Sequence, residues 1–110
     1  MCVNMLDIGI VYYQMNTSGS GLGAVWYSTR SATKEPGTGV ATGDTSNGFA
    51  GDYSITYYYP DGSESGTFDL KIEQTGETFA LSYSQNGQVL LRGVGLETSD
   101  GLAAGYRKVV

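Results

Sequence analysis

The chain has 110 residues, of which 40% are hydrophobic, 15% are charged and 17 are glycines. This composition indicates one globular domain rather than a disordered chain. The net charge of −5 and the scatter of the six basic residues argue against nucleic acid and against an anionic membrane surface, because both need a concentrated basic patch. The single cysteine, Cys2, excludes an intramolecular disulfide.

Apolar and polar residues alternate with a period of two along most of the chain, which predicts β-strands. We place eight strands at residues 7–15, 22–30, 37–43, 48–59, 65–74, 77–85, 88–96 and 101–109. Turn residues separate them, and Asn86-Gly87 is the strongest hairpin signal. The expected fold class is therefore all-β, an eight-stranded antiparallel meander that closes as a barrel or stacks as a β-sandwich. We favour the barrel because it leaves no edge strand.

An internal repeat supports an eight-stranded unit. The sequence TSNGFAGDY at 45–53 matches TSDGLAAGY at 98–106, so Tyr53 has a counterpart in Tyr106. The spacing of 53 residues corresponds to four strands. We therefore expect two four-stranded repeats that bury a core only together.

The segment DYSITYYY is the most tyrosine-rich part of the chain, and alternation divides it between two faces. We predict that Tyr53, Ile55, Tyr57 and Tyr59 face the core. Tyr58 falls on the polar face and is the candidate for an interaction surface.

The candidate ligand-binding residues depend on whether the barrel is filled or hollow. Barrels of eight strands are either solid or hold one small ligand. In a hollow barrel, a flat or apolar ligand would contact aromatic side chains and a buried cation. The candidates are Tyr12, Trp26, Tyr57, Tyr83, Arg92 and Tyr106.

Arg92 has two interpretations because Leu90 and Val94 share its face. If that face points inward, the guanidinium needs a carboxylate or an anionic ligand. If it points outward, Leu90 and Val94 are exposed, as in an oligomer contact.

No catalytic arrangement is expected. The chain has no histidine, which removes the commonest general base and metal ligand. The carboxylates Asp52, Asp61, Glu64 and Asp69 cluster around one predicted hairpin, and we interpret them as solvated surface charges. We predict a protein that is not an enzyme and needs no cofactor or metal.

Three motifs occur in the second half of the chain: PDGS at 60–63, GVG at 93–95 and LAAGY at 102–106. In these motifs the chain resembles a group of small bacterial β-rich proteins, whose members often carry an automatic fibronectin-binding label. The pieces that follow in that group come first here, as GIVYY at 9–13, GAVW at 23–26 and GTG at 37–39. The resemblance implies a circular permutation or a frame from a tandem array, with Met1 close to Val110 and the first and last strands adjacent. It supplies no catalytic residues.

Two functions remain open. The first is a structural or interaction module that self-associates as a homo-oligomer. The second is a barrel that binds a small apolar or aromatic molecule. We expect a cytoplasmic protein from the sequence as given, or a secreted one if a leader has been removed.

Overall fold

The computed structural model describes residues 8–17, 20–31 and 33–109. Within these ranges the chain forms eight β-strands and no helix. The strands are β1 (Gly9–Met15), β2 (Leu22–Ser28), β3 (Gly37–Gly43), β4 (Gly51–Tyr58), β5 (Glu64–Thr75), β6 (Thr78–Gln85), β7 (Gln88–Glu97) and β8 (Leu102–Lys108). Each observed bound lies within three residues of the predicted one.

The sheet closes on itself as an antiparallel barrel. Each strand pairs with the next along the chain, and β8 pairs with β1. This confirms the predicted meander barrel over the sandwich, together with the adjacency of the first and last strands. The expected closeness of Met1 and Val110 concerns residues outside the described ranges, and Cys2 also lies outside them. The two-repeat origin and the circular permutation stay predictions.

The meander gives the barrel two distinct ends. End A holds the start of β1, the end of β8 and the β2–β3, β4–β5 and β6–β7 connections; end B holds the other four connections. The β6–β7 hairpin turns at Asn86 and Gly87, with φ of 52° and 79°. Positive φ at both turn residues is typical of the type I′ turn that the Asn-Gly pair predicts.

The core is one cluster of buried apolar and tyrosine side chains on the inner face. Strand β3 contributes mostly small residues to the core. Three of its glycines lie opposite aromatic residues: Gly37 opposite Trp26, Gly39 opposite Tyr57 and Gly43 opposite Tyr53. A Cβ at Gly37 would come within 2.6 Å of the Trp26 ring. The glycines of β3 thus make room for the rings beside them.

One predicted core residue lies outside the core. Tyr53, Ile55 and Tyr57 are buried as expected, but Tyr59 is 46% exposed. Strand β4 ends one residue earlier, because Pro60 lacks an N–H group to continue the pairing. The N–H of Tyr59 instead donates to Ser63 O (2.8 Å) within the turn.

Candidate functional site

Three tyrosine hydroxyls meet inside the barrel. Tyr13 Oη lies 2.7 Å from Tyr57 Oη and 2.6 Å from Tyr83 Oη, and all three residues are buried. They come from β1, β4 and β6, which lie on different sides of the barrel, so the rings converge toward its axis. A ligand in the middle of the barrel would have to displace this hydroxyl cluster and break its hydrogen bonds.

Burial keeps the cluster protonated. Desolvation raises the pKa of Tyr13 and of Tyr57 well above that of a free tyrosine. Repulsion between the phenolates that ionisation of neighbouring tyrosines would create raises both pKa values further. The pKa of Tyr83 is raised by burial, although its hydrogen bonds oppose the shift. The three hydroxyls are therefore neutral near pH 7 and act as hydrogen-bond partners for each other.

The outer faces of β7, β8, β1 and β2 form a continuous apolar surface. It consists of Ile10, Tyr12, Val25, Tyr27, Val94, Leu96, Ala103 and Gly105 and is termed the apolar wall. The register aligns these residues in two rows across the strands, one from Val94 to Tyr27 and one from Leu96 to Val25. A soluble barrel commonly carries polar residues at such outward positions.

A groove runs along β8 within the apolar wall. Its floor is Ala103 and Gly105, whose small side chains leave space between the wall residues of β7 and those of β1. The flanks are well exposed, with Val94 at 71% and Ile10 at 62%. The groove has a volume of about 830 Å³, and none of the described residues that line it carries a charge.

Charged side chains are segregated between the two ends. Among the described residues, five basic ones lie at or toward end A: Arg30, Lys34, Arg92, Arg107 and Lys108. Six acidic ones lie at or toward end B: Asp44, Asp52, Glu73, Glu77, Glu97 and Asp100. Each end also holds a minority of the opposite sign, namely Glu35, Asp61 and Glu64 at end A and Lys71 at end B. Asp69 lies at the middle of β5, between the two ends. End A is therefore net positive and end B is net negative.

The predicted ligand-binding residues do not converge on one place. The structure puts Tyr57 and Tyr83 in the hydroxyl cluster, Trp26 and Tyr106 beside a pocket at end A, and Tyr12 and Arg92 on the outer face. The outward interpretation of Arg92 is the one observed, since Arg92 and Val94 are exposed and Arg92 lies opposite Arg107. Leu90, which this interpretation also predicted to be exposed, is half-buried. Tyr58 faces outward on β4, outside the apolar wall.

Sequence reasoning missed Tyr13, the residue at the centre of the hydroxyl cluster. Strand β1 is apolar on both faces, with Val11 and Tyr13 inside and Ile10 and Tyr12 outside. Alternation cannot decide between two apolar faces, and Tyr12 was the predicted ligand contact. Its hydroxyl instead lies 3.1 Å from Thr98 Oγ1 on the outer surface.

The carboxylates Asp52, Asp61, Glu64 and Asp69 are all exposed, as expected of solvated surface charges. The described ranges contain no group of three or more histidine, cysteine, aspartate or glutamate side chains placed to hold a metal ion. No helix long and apolar enough to cross a membrane occurs in the described part of the chain. The chain matches no protein-family model, no curated protein and no solved structure.

Proposed function

We propose that the protein is a non-enzymatic interaction module that self-associates through the apolar wall. The observation that carries this proposal is an uncharged surface of exposed aliphatic side chains that spans four strands. Apolar patches of this kind are typical of protein interfaces, because burying them removes apolar area from water. The partner is a second copy of the same chain.

The shape of the apolar wall favours self-association. The flank on β7, with Val94 and Leu96, stands beside the groove along β8. A twofold axis through the wall would place the flank of each copy in the groove of the other, which is the self-complementarity that an isologous dimer needs. The same two strands then supply both the ridge and the groove.

The charges at the two ends favour one orientation of the copies. If the barrels pack side by side and antiparallel, the net positive end A of each copy lies beside the net negative end B of the other. Parallel packing would bring like charges together. Such complementarity selects the orientation and speeds association more than it strengthens binding.

The closed sheet restricts how the copies can associate. A barrel has no unpaired edge strand, so a partner cannot add a strand to the sheet. The contact must be made by side chains. Covering the exposed half of an aliphatic side chain contributes roughly 1 kcal/mol, and a symmetric interface covers each wall residue twice. The cost of association offsets much of this gain, and we expect a dissociation constant on the order of micromolar.

The substitution Val94→Glu tests the proposal. It places a charge on the flank of the groove in both copies, and we expect the dissociation constant of the dimer to rise at least about 100-fold. Sedimentation equilibrium measures this constant directly. The matched control is Val40→Glu, because Val40 is also an outward valine, 52% exposed, but lies on β3 outside the apolar wall.

The control variant should dimerise as the unmodified protein does. A dimer that survives Val94→Glu would refute the apolar wall as the interface and would point to strand exchange between copies. Equal weakening by both substitutions would mean that added negative charge, not the apolar wall, governs association.

A further inference from the structure

A pocket lies at end A, beside the start of β1 and the ends of β2 and β8. It is termed the mouth. Its volume is about 560 Å³. The floor is apolar and aromatic, formed by Trp26, Phe68, Leu91 and Tyr106. The rim is basic, formed by Arg30, Arg107 and Lys108. The mouth lies at the end of the barrel, whereas the apolar wall lies on its side.

Ring contacts and hydrogen bonds fix the position of Trp26 in the aromatic floor. The ring of Trp26 packs edge-on against Tyr57 of the hydroxyl cluster, with centroids 5.9 Å apart, and tilts against Tyr59 at 6.1 Å. Trp26 Nε1–H donates to Thr38 O (2.9 Å) and to Tyr58 O (3.2 Å). The indole N–H is therefore already satisfied, and the floor needs little reorganisation to receive a flat apolar molecule.

Tyr106 adds a polar group to this floor. Its half-buried ring lies over Gly9 and packs against Tyr83 at 5.8 Å. Burial and the nearby Tyr83 raise the pKa of Tyr106 to about 12, so its hydroxyl keeps its proton at neutral pH. None of the described residues forms a hydrogen bond with this hydroxyl, which leaves it able to donate to a ligand oxygen.

The basic rim is unusual in a protein of net charge −5. Arg107 and Lys108 are consecutive at the end of β8, and both line the mouth together with Arg30. Guanidinium groups are well suited to hold carboxylates.

We propose that the mouth binds a flat aromatic carboxylate, with its ring on the Trp26 floor and its carboxylate at Arg107, Lys108 and the Tyr106 hydroxyl. The aromatic floor accepts the apolar body of the ligand, and the basic rim accepts its charge. This site does not depend on self-association through the apolar wall.

Titration with 2-naphthoate, followed by amide and indole resonances in NMR spectra, tests this proposal. The chain has one tryptophan, so a single indole N–H signal reports on the floor. We expect naphthoate to shift this signal and the amides of Arg107 and Lys108. The neutral analogue 2-naphthylmethanol should bind at least about tenfold more weakly, since it lacks the charge. The aliphatic anion octanoate should also bind more weakly, since it cannot stack on the rings.

Matched double variants separate the basic rim from overall charge. Arg107→Gln with Lys108→Gln removes two charges from the rim, and we expect affinity for naphthoate to fall at least about tenfold. Lys34→Gln with Lys71→Gln removes two charges elsewhere and should leave affinity nearly unchanged. All four side chains are exposed, so both double variants should fold.

Several results would overturn the proposal. Equal binding of naphthoate and its neutral analogue would remove the role of the basic rim, and tighter binding of octanoate would remove that of the aromatic floor. Shifts confined to Ile10 and Val94 would assign naphthoate to the apolar wall. An absence of any shift at millimolar naphthoate would leave the mouth without this function.

Discussion

At the scale of single residues, the hydroxyl of Tyr13 is the centre of the barrel interior. It accepts or donates to two other buried hydroxyls, on Tyr57 and Tyr83. Buried polar groups are costly when they lack a partner, and here each hydroxyl has one. The cluster therefore combines the apolar area of three rings with satisfied polar groups, and a ligand at its level would have to break these hydrogen bonds.

Replacing Tyr13 by phenylalanine should lower the free energy of unfolding by about 1–3 kcal/mol, because it removes the hydroxyl that both neighbours use. Urea denaturation measures this change. Tyr12→Phe is the control in the adjacent position, since it removes only an exposed hydrogen bond to Thr98, and should change stability by less than about 0.5 kcal/mol. Similar losses in the two variants would contradict the structural role of the hydroxyl cluster.

The raised pKa values of the buried tyrosines predict alkaline unfolding. An unfolded tyrosine ionises near pH 10. Burial raises the pKa of Tyr106 to about 12, and it also raises the pKa values of Tyr13 and Tyr57. Below pH 10 both states are protonated and the stability is fully present. As the pH rises from 10 through 12, the unfolded state loses protons that the folded state keeps, and stability falls.

Urea denaturation at a series of pH values measures this fall. The free energy of unfolding should be nearly constant from pH 7 to about pH 9 and should decrease between pH 10 and 12. Tyr106→Phe removes one of the shifted groups and should make the decrease shallower. Constant stability up to pH 12 would contradict the burial of these hydroxyls.

At the scale of strands, pairing places small residues beneath large rings. Gly9 on β1 lies opposite Tyr106 on β8, and a Cβ at Gly9 would collide with the Tyr106 ring. Gly23 on β2 differs, because the nearest atom that a Cβ would meet is Asn16 Oδ1 at 3.9 Å. The Tyr106 ring therefore leaves no space for a Cβ at position 9, whereas position 23 has space for one.

Gly9→Ala should destabilise the protein by about 1–3 kcal/mol, since either the ring or the strand must move. It should also weaken naphthoate binding by displacing Tyr106. Gly23→Ala is the control and should be neutral or stabilising by up to about 1 kcal/mol. Thermal unfolding compares the two variants, and equal melting temperatures would show that the ring of Tyr106 does not depend on Gly9.

Alternation predicted the inner face well where only one face is apolar. Strands β5 and β6 meet this condition. The residues predicted to face inward on these strands, such as Leu70 and Tyr83, are buried. Strand β1 does not, because the apolar wall makes its outer face apolar too. The same feature that forms the candidate interface thus concealed Tyr13 from sequence reasoning.

At the scale of the whole molecule, barrel closure assembles both proposed sites from distant parts of the chain. Arg30 and Arg107 are 77 positions apart in sequence, yet both line the mouth, because β8 pairs with β1 and β1 with β2. The turn residues predicted the strand order, but the grouping of cations depends on which strands meet at the seam of the barrel. For this reason the strands were predictable and the mouth was not.

The apolar wall likewise crosses that seam, with rows that run from β7 through β8 and β1 to β2. The opposite net charges of end A and end B would favour antiparallel packing of a second copy on this surface. Together these features describe a barrel with a tyrosine cluster in its interior and an exposed apolar surface on its side.

Sedimentation velocity of the unmodified protein, over concentrations from roughly 1 to 500 μM, tests this account most directly. We predict a reversible shift with concentration from a monomer to a species of twice its mass. Val94→Glu should move this shift to at least about 100-fold higher concentration, and Val40→Glu should leave it in place. A single monomeric species across the whole range would contradict self-association through the apolar wall.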